Sequence, residues 1–149
     1  MTPVFVDTSV FIAAENLAAG HLHSAALQWL DGLWRLRAGR TSSQVLIEFY
    51  QQVTQARPPL AQGDARAAIR RYQTWTPWPI DAATLETAWA IEARHPLVFG
   101  DCLALACAQH SGCAQLLTCA LPAGLQIGPV QILSPLTPPG AALPDWPGT

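Results

Sequence analysis

The sequence predicts an α/β protein in which a mostly parallel sheet is covered by helices on both faces, a three-layer α/β/α sandwich. Three observations carry this reading. A short β-branched and aromatic run, Val4 to Val6, feeds straight into a second apolar segment, which is how an α/β unit opens. Stretches of helical period then alternate with short apolar runs at 115–118 and 130–133. Half of the 149 residues are hydrophobic, enough for one substantial core.

The elements follow in order. After the first strand, Thr8 or Ser9 is placed to cap a helix running to about Glu15. Leu22, Ala26, Leu27, Leu30, Leu33 and Trp34 recur at helical spacing, predicting a helix over 21–36 with Gly39 as a stop. Ser42 or Ser43 caps the next helix, from about Gln44 to Gln55, which Pro58 and Pro59 close. A polar turn with Gly63 and Asp64 opens another, ending near Thr74. "WTPWPID", 75–81, reads as a proline-restricted edge strand. Helices over 82–94 and 99–110 precede the two later strands. From Ser134 the chain carries a proline every few residues, so residues 1–134 form the predicted domain and 135–149 an extended, frayed tail.

Composition removes several classes of chemistry. The formal charge is −2 with 12% charged residues, which does not build a broad basic surface. All eight basic residues are arginines, so a phosphate-cradling loop with its lysine is excluded. Cys102, Cys107, Cys113 and Cys119 lack paired zinc spacing and read as small buried hydrophobes in a reducing compartment. No apolar run approaches the roughly 20 residues that span a bilayer, and the start lacks a signal-peptide pattern, so a cytoplasmic protein is expected.

Of ten acidic residues, seven fall at helix ends, on polar faces or in the tail. Asp7, Glu48 and Asp101 differ: they stand after "VFV", within "VLIEFY" and within "LVFGDCLALACA". A charge in such company costs several kcal/mol unless it is paired or protonated. No arginine is near any of them in sequence. Asp101 alone also reads as a helix cap. Jointly, an acid at the end of a parallel strand and two in early helical turns are placed to meet at one crevice. Hard oxygen ligands with open positions suit Mg²⁺ or Mn²⁺, which activates water against a phosphodiester.

"VFVDTSVFIA", "SSQVLIEFYQQV", "VFGDCLALACAQHSGCAQLLT" and "VQILSP", taken in order, resemble the PIN-domain family, in particular the ribonuclease toxins of VapBC-type toxin–antitoxin modules. The resemblance implies a sheet sandwiched by helices, Mg²⁺-dependent RNA cleavage, a homodimer and neutralisation by a small antitoxin protein. Asp7, Glu48 and Asp101 match the family's first three acidic positions. Where many members carry a fourth acid, this chain reads Thr118, Cys119, Ala120, and neither alanine nor a thiol suits Mg²⁺. A single metal is then expected, with Asp7 and Asp101 as direct ligands and Glu48 as ligand or water orienter.

The competing reading is a PIN-fold RNA- or protein-binding module with weak or lost catalysis, motivated by that missing acid. Another doubly wound phosphoryl-transfer fold is disfavoured by the absent lysine. Arg66, Arg70 and Arg71, and separately Arg35, Arg37 and Arg40, form clusters suited to RNA phosphates, to a partner's carboxylates, or simply to a solvated face. The histidines form no triad and receive no role.

Overall fold

The computed structural model describes residues 1–147. Its strands are β1 (Val4–Val6), β2 (Gly39–Arg40), β3 (Gln115–Leu117), β4 (Gln126–Ile127) and β5 (Val130–Leu133). They form one sheet in the order β2-β1-β3-β5-β4. Every pairing is parallel except β4 with β5, which is antiparallel. The helices are α1 (Thr8–Glu15), α2 (His21–Leu36), α3 (Ser43–Gln55), α4 (Gln62–Tyr72), α5 (Ala82–Arg94), α6 (Phe99–His110) and α7 (Pro139–Ala142). The α/β sandwich expected from the sequence is what the chain builds.

β1 and β3 lie inside the sheet, and their apolar residues are buried on both faces: Val4, Phe5 and Val6 have no exposed surface. Continuous burial is why these strands read as unbroken hydrophobic runs rather than alternating ones. α6 contributes its own unbroken buried run, Cys102 to Ala108, beneath the sheet. Trp29 and Leu33 of α2 are fully buried as well, the leucine alone worth about 1.5–3 kcal/mol by burial. Cys102, Cys107 and Cys113 are buried as expected, and burial pushes the Cys107 thiol up to about 11, far from thiolate reactivity.

Four expectations are corrected. The stretch 75–81 is no strand: only Trp78 bridges Ser42, because Pro77 and Pro79 have no N–H to extend the ladder. Gly39 does not stop α2; Arg37 does, in a left-handed conformation with φ 53°. Gly39 instead opens β2, where a Cβ would come within 2.3 Å of the Trp75 ring. Cys119 is exposed, since it follows β3 at the rim of the sheet.

The fourth correction concerns the proline-rich segment. It forms the short α7, buries Leu143, and packs Trp146 at a tilt against Trp29 with ring centroids 5.5 Å apart. Trp29 Nε1 also donates to the Thr137 carbonyl at 3.0 Å. Proline prevents a long helix but not docking by apolar side chains. Gly148 and Thr149, the end of the predicted tail, lie outside the described residues.

Candidate active site

Asp7 directly follows β1 and occupies the N-cap position of α1, with no side-chain cap bond. Its backbone is pinned by Asp7 N–H donating to the Leu117 carbonyl at 3.1 Å, an extension of the β1–β3 pairing. The hydroxyls expected to cap α1 are spent otherwise. Ser9 Oγ donates to Asp7 Oδ2 at 3.1 Å, and Thr118 Oγ1, from the end of β3, donates to the same oxygen at 2.8 Å.

Each of those hydroxyls also accepts a backbone N–H: Ser9 from Cys119 at 2.9 Å, Thr118 from Ala120 at 3.0 Å. A hydroxyl that is already accepting has its proton free for the carboxylate, and the chain of bonds strengthens itself. Asp7 is thereby oriented by residues from the two adjacent strand ends.

Glu48 comes from α3, which Ser42 caps by accepting the Val45 N–H at 3.2 Å. One turn earlier on the same helix face, Gln44 Nε2 donates to Glu48 Oε1 at 2.6 Å. Thr8 Oγ1 donates to Glu48 Oε2 at 3.1 Å, tying α3 to α1. Gly100 brings the first turn of α6 alongside, its hypothetical Cβ 3.9 Å from Glu48 Oε1.

Asp101 follows Gly100 in that turn. The cap reading fails here: Val98 holds the N-cap position, and no side chain caps α6. Burial pushes the Asp101 carboxyl above the usual aspartate range, and the charges of Asp7 and then Glu48 push it further. Those couplings place the three acids in one electrostatic neighbourhood.

All three line a single cavity of about 380 Å³ together with Thr8, Ser9 and Ala120. The ion pair recorded among the described residues, Arg35 with Asp31, lies elsewhere, so no arginine compensates the cavity. Charge and donor type fit a hard divalent cation. The set is open rather than closed: among the described residues no three His, Cys, Asp or Glu side chains are drawn together tightly enough to hold an ion. Ala120 stands on the cavity wall near the place where the sequence lacks a fourth acid.

The model of the PIN domain matches residues 4–119. The chain belongs to the PIN domain family. Among solved structures, this PIN domain is similar to Mycobacterium tuberculosis VapC20, a sarcin-ricin loop cleaving toxin, at 28% identity with a TM-score of 0.60. That similarity covers 76% of this chain and 86% of VapC20. No curated protein matches the chain.

Sequence reasoning singled out the three acids that line this cavity but missed the hydrogen bonds that orient two of them. Thr8, Ser9 and Gln44 were readable as polar residues beside acids, and only folding shows their bonds. Thr118 is joined to Asp7 across 111 residues, which no local pattern reveals. Among the described residues no helix is long and apolar enough to cross a membrane.

Proposed function

We propose that this PIN domain is a divalent-metal-dependent endoribonuclease, the toxin of a toxin–antitoxin module. One observation carries the reading: Asp7, Glu48 and Asp101, distant in sequence, line one cavity without a compensating cation side chain. The likeness to a sarcin-ricin loop cleaving toxin supports RNA as the substrate class. Residues 1–134 are the nuclease unit, with 135–149 as its proline-rich tail. The active form is a homodimer in the cytoplasm, held silent by a cognate antitoxin protein.

In this reading Asp7 and Asp101 hold Mg²⁺ or Mn²⁺, with Glu48 as a ligand or as the group that orients water. When bound, the ion lowers the pKa of a water and neutralises charge on the phosphodiester. The chain supplies position. Ser9 and Thr118 hold Asp7 through Oδ2, which leaves Oδ1 for the ion. Gln44 and Thr8 keep Glu48 from swinging out of the cavity. Burial first, and then the charges of Asp7 and Glu48, raise the Asp101 carboxyl, and a cation would relieve the charge repulsion.

Purified protein is incubated with end-labelled RNA in Mg²⁺, in Mn²⁺ and in chelator. Metal-dependent cleavage, lost in Asp7→Asn, is the expected result; none with either metal would overturn the reading. The second reading, a binding module without efficient catalysis, is favoured by Ala120 at the cavity wall and by the open ligand set. It predicts RNA or protein binding that survives Asp7→Asn with no cleavage in the parent chain. Light scattering reports the dimer.

A further inference from the structure

A cleft of about 530 Å³ opens beside β2, the strand at the edge of the sheet. It shares no residue with the acidic cavity. Its walls are Trp34 and Arg37 at the end of α2, Arg40 of β2, and Thr74, Trp75 and Thr76 after α4.

Neither arginine has a carboxylate partner among the described residues. Arg40 Nη1 donates instead to the carbonyls of Gly39 at 2.8 Å and Arg37 at 3.3 Å, which fixes the guanidinium and leaves its other donors available. Backbone strain gathers at the same place. Among the described residues, Arg37 and Thr76 are the non-glycine residues with positive φ, 53° and 47°, and both line this cleft. Such a conformation is unfavourable for any residue with a Cβ and most of all for a β-branched one. Strain of this kind concentrates where function has fixed the backbone. Finally, Trp34 is 38% exposed and braced edge-on by Tyr72, with centroids 5.9 Å apart at 87°. An indole is thus held at the mouth of the cleft.

We propose that this cleft anchors a single-stranded segment of RNA, with a phosphate on Arg37 and Arg40 and an adjacent base against Trp34. The inference rests on the nuclease reading of the acidic cavity. A chain of charge −2 offers a polyanion no broad basic surface, so a local pair of arginines with free donors is where its backbone can be held. Guanidinium forks match phosphate oxygens, and every base offers a π-face to an indole. An acidic peptide satisfies the guanidiniums but offers Trp34 a ring only where it happens to carry an aromatic residue, whereas every nucleotide carries a base.

The test measures binding of a fluorescein-labelled single-stranded RNA to the full chain in chelator, by anisotropy, across a salt series. The variants are Arg37→Asn with Arg40→Gln, Trp34→Leu, and Arg35→Gln as a control outside the cleft. Asparagine tolerates the left-handed backbone, so the double variant retains the fold, checked by circular dichroism. The double variant is expected to bind at least about tenfold more weakly, with the salt slope reduced by about 0.7 for the one lost phosphate contact. Trp34→Leu is expected to lose about tenfold without a change in slope. Arg35→Gln is expected to bind as the parent does.

Metal-dependent cleavage by the parent chain, run in parallel, reports on the nuclease reading separately. Cleavage with unchanged affinity in the double variant overturns the anchor alone. A parent chain that neither binds nor cleaves RNA overturns both. Cleft-dependent binding of an acidic peptide, with RNA binding untouched by the same variants, also overturns the proposal.

Discussion

Thr118 Oγ1 donates to Asp7 Oδ2 at 2.8 Å while accepting the Ala120 N–H at 3.0 Å. A buried hydroxyl in a chain that lacks an acid at the neighbouring wall is therefore committed to orienting the acid at the strand end. Thr118→Val keeps the shape but orphans the Ala120 N–H and loosens Asp7. It is expected to cost about 1–3 kcal/mol in urea unfolding and to lower the cleavage rate, with Thr118→Ser restoring both. A valine variant equal to the parent in both measurements would remove Thr118 from the site.

Asp101 gives a pH signature. Its folded-state carboxyl is raised by burial and by Asp7 and Glu48, so the folded state holds that proton more tightly than the unfolded chain does. Its contribution to stability is therefore best at low pH. That contribution is lost as pH rises from the ordinary aspartate value of 3.8 through the raised folded one. In metal-free buffer at neutral pH, Asp101→Asn is expected to melt above the parent, the gap closing as the solution is acidified below that window. A gap independent of pH would refute the electrostatic cause.

Added Mn²⁺ is expected to raise the parent's melting temperature by linkage, and to raise that of Asp101→Asn less. Equal shifts in calorimetry would separate Asp101 from any bound ion.

Helix α3 carries Glu48, and Ser42 caps it with a buried hydroxyl. Ser42→Ala is expected to cost about 1 kcal/mol in chemical unfolding. A cost near zero would show that the α3 start is held by packing alone.

Gly32 lies in the middle of α2, where glycine costs roughly 1 kcal/mol relative to alanine. It is there because a Cβ would come within 2.0 Å of the Trp146 ring. Gly32→Ala is expected to destabilise the parent but to stabilise Trp146→Ala by about 1 kcal/mol. Additive effects in the double-mutant cycle would mean that the ring does not rest on α2.

What was legible in the sequence follows from the range of the forces involved. α5 and α6 begin and end where periodicity and breakers place them, and α2 has the span its periodicity gives although Arg37 rather than Gly39 stops it, because helical bonds are local. β5 was equally plain as a buried run bounded by turn residues. β2 and β4 have two residues each, too short for any period, and exist only because a neighbouring strand pairs with them. The acids of the site were visible through the cost of their apolar neighbours. Their partners were not, since a hydroxyl reveals its bond only when another strand end arrives beside it.

The aromatic clasp of Trp146 on Trp29 has a practical side. A label carried at Met1, which is 46% exposed, leaves the clasp alone, whereas one carried at Trp146 disturbs a ring wedged against a helix. A bulky group substituted at Trp146 would work as a lever on α2.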